Sequence, residues 1–185
     1  TPNSDNALLL IAALEMSGKK AQAFTFLEKH VQAHSNDIPS AMLLAERQIG
    51  KDRAAAIKTY EQVLTKTPDN FVVLNNLAYL AFEDKNLTRA EELAKKAVSL
   101  QRENADAVDT LAQIYVAKGD KAAALKLYEE VSARPIANDD VYLNHVSVLL
   151  ELDKKALASR KLASREFKSE AAKQRAESLK QQYGI

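Results

Sequence analysis

Apolar and polar residues follow one another along this chain with the period of an amphipathic α-helix. One stripe, at positions i, i+3, i+4 and i+7, consists of Leu74, Leu77, Ala78 and Ala81. A polar break at 84–86 ends it, and a second stripe begins at Ala90. No segment alternates apolar and polar residues for long, as a half-buried strand would. The pattern therefore predicts an all-α chain of helices joined by short turns.

The pattern also returns at a nearly constant interval. Alanines stand at 23, 56, 90, 124 and 158, which are 33 or 34 residues apart. Thirteen residues before each alanine the chain has Leu10, Leu43, Leu77, Leu111 and His145. Each period holds two stripes, so we predict pairs of helices, which we term helix A and helix B. The alanines are expected where two helices cross closely, because a larger side chain would push them apart.

Glycine and proline punctuate this repeat. The breaks within pairs contain Gly18, Gly50 and Gly119, which suits residues that end a helix with a positive φ. The breaks between pairs contain Pro39, Pro68 and Pro135, which suits a residue that can begin a helix but not interrupt one. A unit of this size cannot bury its apolar face alone, so the units are expected to stack.

The 34-residue unit, with a small residue in helix B and often an aromatic four residues later, resembles the tetratricopeptide repeat (TPR). The segment AIKTYEQVLTKTPDN (56–70) is similar to the second half of that repeat. The resemblance implies a right-handed α-solenoid, the TPR superhelix, as one domain over residues 1–185. We place repeats at 4–36, 37–70, 71–104, 105–138 and 139–172, with a C-terminal capping helix at about 169–183. Arg47, Ala81 and Arg102 depart from the family's pattern.

A narrower resemblance extends over the second half of the chain. The segments LNNLAYLAFEDKN (74–86) and YLNHVSVLLELDKKALASRKL (142–162) are similar to the C-terminal region of the TPR-repeat lipoprotein of bacterial PEP-CTERM/exosortase systems. That resemblance implies a scaffold in the bacterial cell envelope, anchored as a lipoprotein on the periplasmic side.

The TPR resemblance also implies a binding groove lined by helix A of each repeat. Carried over to the third and fourth repeats, the groove positions include Asn75, Tyr79, Phe82, Asp106, Asp109, Gln113 and Val116. We expect a protein or peptide partner, held by the two aromatic residues between acidic rims, with the amides bonding its backbone. The alternative for Phe82 is packing against a neighbouring helix. No lysine or arginine occupies these positions, which disfavours a clamp for C-terminal carboxylates.

Composition and motifs argue against other classes of function. Lys plus Arg number 26 and Asp plus Glu 25, so the net charge is +1, and we expect no nucleic-acid partner. Cysteine is absent, and no phosphate loop or nucleophile motif is found, so we expect no enzyme and no cofactor. His30 and His34 have a metal-ligand spacing but no third ligand nearby, so we expect no metal. His145 falls in the leucine column and is expected in the core.

The two ends of the chain differ from the repeats. The chain opens without Met, and we interpret it as an excised fragment or a processed product. The first helix is apolar around much of its circumference, through Leu8, Leu9, Leu10, Ile11 and Leu14. We expect either further repeats before it or a contact with another chain, so a homo-oligomer formed through this edge is the structural alternative to a binding module.

Residues 151–185 carry nine Lys and Arg against five Asp and Glu. The longest apolar run is too short for membrane insertion.

Overall fold

The computed structural model describes residues 4–132 and 135–185. Over these residues it contains helices and no strand, so the all-α prediction is confirmed, and the chain is a helical repeat solenoid. The helices are α1 (Ser4–Met16), α2 (Lys20–Ala33), α3 (Ile38–Ile49), α4 (Arg53–Lys66), α5 (Phe71–Glu83), α6 (Leu87–Leu100), α7 (Ala105–Ala117), α8 (Lys121–Val131), α9 (Asp139–Glu151), α10 (Lys155–Ala163) and α11 (Glu170–Tyr183).

The chain divides into two compact units, Thr1–Val73 and Leu74–Ile185. In the first unit α1 packs on α2, α3 packs on both, and α4 packs on α3. In the second unit α7 packs on α6 and α8, α9 packs on α7, α8 and α10, and α11 packs on α9 and α10. The single-domain organisation and the five repeat boundaries stay predictions.

Short polar side chains fix where most of these helices begin. The N-cap side chain accepts a hydrogen bond from a backbone N–H two or three residues later at Asp37, Asp52, Asn86, Asn104, Asp120, Asn138 and Ser169. Each bond satisfies one of the N–H groups that the first turn leaves unpaired. These caps therefore mark the points in the sequence where one helix is separated from the next.

We call each pair of helix A and helix B a hairpin. Most of the turns within these hairpins contain a residue in the left-handed conformation, but that residue is not always a glycine. Gly18 and Gly119 have φ of 76° and 85°, as expected. Gly50 does not, because its φ is −82° and it continues the right-handed conformation of α3. At the positions 34 residues before and after Gly119, Lys85 and Asp153 take φ of 60° and 58°. The turn between α9 and α10 has no glycine, and Asp153 takes the left-handed conformation there instead.

The alanine column lies where the sequence pattern put it. Ala56, Ala90, Ala124 and Ala158 each expose 0% of their surface, and Ala23 exposes 1%. One turn later, Tyr60 and Tyr128 are also fully buried. The alanines leave room for the neighbouring helix, and the tyrosines fill the space beside the crossing.

All three histidines have contacts that account for their positions. His30 is buried, and its Nε2 lies 2.7 Å from Oδ2 of Asp37, the N-cap of α3. Burial opposes ionisation of Asp37, but hydrogen bonds from Ser4, His30 and Ser40 lower its pKa to about 2. His34 Nδ1 lies 3.1 Å from the His30 carbonyl oxygen. The described ranges contain no group of three His, Cys, Asp or Glu side chains placed to hold a metal ion.

The third histidine, His145, lies in the core of the second unit, as its column predicts. It is 2% exposed and stacks on the Tyr128 ring at 5.2 Å between centroids. Its Nδ1 is 3.1 Å from Ser132 Oγ. Burial, with a contribution from the charge of Lys161, lowers the pKa of His145 to about 4. The ring is therefore neutral near neutral pH and packs as an aromatic side chain.

The alanine column generates a direct test of the packing. Replacing Ala124 by Phe places a ring where the helix leaves no space, and we expect it to lower the free energy of unfolding by about 1–3 kcal/mol. Ala122→Phe is the matched control, because Ala122 is exposed on the same helix and should change stability by about 0.5 kcal/mol or less. Urea unfolding followed by circular dichroism measures both. Equal midpoints for the wild type and Ala124→Phe would show that this crossing is not close.

Candidate binding face on helices α5 and α7

Helix α5 presents an aromatic residue to solvent on the face predicted to line the groove. Tyr79 is 49% exposed, although large aromatic side chains are usually well covered. Phe82 is half-buried, with Lys85 Nζ at 5.7 Å from its ring centroid. Asn75 is also half-buried, and its Oδ1 is buried without a hydrogen-bond partner among the described residues. The three side chains stand at i, i+4 and i+7, so they share one side of the helix.

Helix α7 carries the second set of predicted groove residues, and they differ in exposure. Asp106 is exposed, while Gln113 and Val116 are half-buried. Asp109 is only 8% exposed. The expectation that Asp106 and Asp109 form a pair of rim carboxylates is therefore wrong for Asp109, which points into the packing between helices. Only Asp106 remains on α7 as an exposed carboxylate of the predicted face.

Three donors from three helices surround the Asp109 carboxylate. Oδ1 accepts a hydrogen bond of 2.6 Å from the Tyr128 hydroxyl, and the Asn144 amide bonds both oxygens at 2.9 and 3.0 Å. Gln113 Nε2 donates to Oδ2 at 2.5 Å. Because one amide hydrogen of Gln113 serves Asp109, that side chain is less available to a ligand than the sequence predicts. These bonds satisfy the buried Asp109 carboxylate, which would lower the free energy of unfolding if it were left without donors.

Burial dominates the ionisation of this cluster. It raises the pKa of Asp109, and the hydrogen bonds from Tyr128, Asn144 and Gln113 offset part of the effect. Burial also raises the pKa of Tyr128, and the nearby Asp109 charge adds to it. The tyrosine hydroxyl therefore stays protonated and remains a donor to the carboxylate.

The network continues from α9 to α11. Arg175 Nη2 donates to the side-chain oxygen Oδ1 of Asn144, and its Nη1 lies 3.5 Å from Asp140 Oδ1. Near the start of α7, Asn138 Nδ2 donates to Asp106 Oδ1 at 2.9 Å. We call the connected set Asp109, Gln113, Tyr128, Asn144 and Arg175 the polar layer. It joins α7, α8, α9 and α11 through their side chains.

Sequence reasoning found two members of the polar layer and missed three. The repeat pattern places an aromatic side chain at Tyr128 but indicates no partner for its hydroxyl. Asn144 lies 35 residues after Asp109, close to one repeat length, so a carboxylate facing an amide in the next helix A was the available signal. Arg175 gave no signal, because the register of α11 against α9 does not follow from the repeat.

Comparison with known proteins supports the repeat assignment. Residues 81–135 match the family model described as tetratricopeptide repeat. No curated protein sequence matches the chain significantly. Solved structures share the fold at low identity, and three of them follow.

The first is PilF from Pseudomonas aeruginosa, with a TM-score of 0.74 and 19% identity over 98% of this chain and 92% of that one. The second is TTC0263 from Thermus thermophilus, described as a thermophilic TPR protein, with a TM-score of 0.72 and 17% identity over 95% and 98% of the two chains. The third is MamA from Desulfovibrio magneticus RS-1, with a TM-score of 0.73 and 12% identity over 87% and 92%. At these identities the structures show a common fold and nothing more specific.

The polar layer predicts the effect of removing a single hydroxyl. Tyr128→Phe keeps the ring but leaves the buried Asp109 carboxylate with fewer donors, and we expect a loss of about 1.5–3 kcal/mol in the free energy of unfolding. Tyr79→Phe removes a hydroxyl from an exposed ring and should change stability by about 0.5 kcal/mol or less. Chemical denaturation of both variants at neutral pH measures the difference. A Tyr128→Phe protein as stable as the control would mean that the hydroxyl does not stabilise the carboxylate.

Proposed function

We propose that the chain is a TPR interaction module that binds a peptide or partner segment on the α5 and α7 face. The observation that carries this proposal is Tyr79, a half-exposed aromatic on the same side of α5 as Phe82 and Asn75. Exposed aromatic side chains beside partly covered ones are typical anchors of protein interfaces. The repeat match over 81–135 supports the proposal, because stacked helical repeats present extended binding surfaces.

The charges near this face indicate the chemistry of the partner. Asp106 is exposed on α7, and the Asp140 side chain on α9 is 79% exposed. Gln113 and Val116 lie half-buried beside Asp106 on α7. We therefore propose a partner segment with an apolar or aromatic anchor and neighbouring Lys or Arg residues. The exposed carboxylates would mainly raise the association rate and its dependence on salt.

The location is a further part of the proposal. The narrower resemblance of residues 74–86 and 142–162 favours a scaffold in the bacterial cell envelope, attached on the periplasmic side through a lipid-anchored protein. In the described part of the chain, no helix is both long enough and apolar enough to span a membrane. Within this proposal the repeats would act by holding partner proteins, without chemistry of their own.

A selection experiment tests the binding face. We expect a phage-displayed peptide library selected on the wild type to yield peptides that combine an apolar anchor with basic residues. The double variant Tyr79→Ala with Phe82→Ala should bind those peptides about thirtyfold more weakly, since truncation of an aromatic hot spot typically costs about 2 kcal/mol or more. Fluorescence anisotropy with a synthetic peptide gives the affinities.

Two further variants serve as controls. Tyr115→Ala removes a half-buried ring from the side of α7 that faces Lys95 of α6, and it should leave peptide affinity unchanged. Asp106→Asn should lower the association rate more than the affinity at low salt. A folded Tyr79/Phe82 double variant that binds as tightly as the wild type would remove the binding site from this face.

The second candidate function is self-association through α1. Leu9 is 67% exposed, Leu10 is 45% exposed and Met16 is 90% exposed. The positions equivalent to Leu10 in α5 and α7 are buried, with Leu77 and Leu111 each at 4% exposure. One apolar side of α1 is therefore exposed, although the equivalent sides of α5 and α7 are packed. An exposed apolar surface of this kind favours contact with a second copy of the chain.

Sedimentation across a concentration series tests this candidate. If α1 mediates association, the wild type should gain mass as its concentration rises, and Leu9→Lys should stay monomeric because it places a charge in the contact. Leu157→Lys is the control, since Leu157 is 37% exposed on α10. A wild type that is monomeric throughout the series would exclude association through α1.

A further inference from the structure

Two cations, Lys161 and Arg165, lie against the ring of Tyr142, where α9, α10 and the loop after α10 meet. The guanidinium carbon of Arg165 lies 4.4 Å from the centroid of the Tyr142 ring, and Nζ of Lys161 lies 4.9 Å from the same centroid. Two cations against one aromatic ring repel each other, and the ring offsets only part of that repulsion. No residue of this cluster belongs to the α5 and α7 face, although the neighbouring Asn138 donates to Asp106.

Arg165 is held in place on nearly all sides. Its Nε donates to Asp139 Oδ1 at 2.9 Å, and its Nη2 donates to the same oxygen at 2.5 Å. Its Nη1 donates to the carbonyl oxygen of Ile136 at 2.6 Å, and Nη2 also donates to that of Ala137 at 3.0 Å. One hydrogen on Nη1 has no acceptor among the described residues. The guanidinium is therefore a fixed positive group with one N–H donor remaining.

Lys161 differs because nothing in the described ranges accepts from it. The side chain is half-buried on α10, yet Nζ has no carboxylate, hydroxyl or carbonyl partner there. Burial, together with the charge of Arg165, lowers the pKa of Lys161. A partly desolvated ammonium group with three unused donors next to a second cation is unfavourable until an anion joins it.

The charges around the cluster do not balance. Asp139 is its one bonded carboxylate, and Arg165 together with the backbone N–H of Lys168 occupies both oxygens. The hydrogen bond from Arg165 lowers the pKa of Asp139, with the charge of Lys168 contributing as well. Glu166 lies in the same loop but is exposed, with no hydrogen bond or ion pair to these groups in the described structure. One carboxylate thus stands against three positive charges: Lys161 and Arg165 at the Tyr142 ring, and Lys168, whose charge acts on Asp139.

We infer that Lys161, with the remaining N–H of Arg165, forms a binding site for a phosphate-type oxyanion. An excess of two positive charges suits a phosphate monoester, which carries about 1.5 to 2 negative charges at neutral pH, and inorganic phosphate has the same donor requirements. The Lys161 ammonium supplies a point charge with several donors, and the fixed Arg165 supplies direction. The Tyr142 hydroxyl is not part of the site, because it donates to the Lys161 carbonyl oxygen at 2.9 Å.

Calorimetric titration of the full chain with inorganic phosphate, at constant ionic strength set with chloride, tests the site. We expect saturable binding at one site in the wild type and binding at least about tenfold weaker in Lys161→Gln, since a hydrogen-bonded charge is lost. Lys161→Arg should retain binding. Lys173→Gln is the control, because Lys173 is exposed on α11 and pairs with Glu170.

Two results of this titration would overturn the inference. No saturable binding by the wild type, or equal binding by Lys161→Gln and the wild type, would remove the site. Circular dichroism of each variant establishes that the fold is intact.

A second arm of the titration separates the two sources of such an anion. A phosphoserine peptide and its unphosphorylated form are titrated beside inorganic phosphate. Tighter binding of the phosphopeptide than of both other probes assigns the site to a phosphorylated partner. Equal affinity for the phosphopeptide and inorganic phosphate assigns it to free phosphate. Binding of the unphosphorylated peptide as tight as that of the phosphopeptide would contradict recognition of the phosphate group.

Discussion

The close approach of paired helices at the alanine column is the constraint on which the rest of this structure depends. Ala56, Ala90, Ala124 and Ala158 are completely buried where helix B of a hairpin meets its neighbours. A helix without a bulky side chain at that point can bring its backbone near the adjoining helix. Within each compact unit the apolar stripes then meet along their length.

One consequence is that buried polar residues of helix A fall into fixed positions. In the second unit this places Asp109 beneath the surface, where Tyr128, Asn144 and Gln113 donate to it. Such a buried acid stabilises one arrangement of α7, α8 and α9, because any shift would leave the carboxylate without donors. It also supports the exposed part of the face by fixing the helix that carries Asp106. The α7 residues proposed to bind a partner therefore stand on a helix that this network holds in place.

The sequence was sufficient for features that depend on spacing and insufficient for those that depend on contacts between distant residues. The alanine column, the burial of His145 and the exposure of Tyr79 follow from repeat position alone. The burial of Asp109 does not, because two of its three donors come from residues 19 and 35 positions away. Gly50 was expected to take a positive φ, and it does not. The cations around Tyr142 were visible only as a basic C-terminal segment, since folding is what brings Arg165 and Lys161 to one ring.

The central claim is that partner segments bind the α5 and α7 face, and an NMR titration of isotope-labelled protein with a selected peptide tests it most directly. The account predicts that the side-chain amide signals of Asn75 and Gln113, the Val116 methyl signals and the backbone signals around Tyr79 shift in proportion to occupancy. Signals from α6 and α8, which carry the alanine column, should change little. Shifts confined to α6, α8 or α10, with those four groups unaffected, would contradict it.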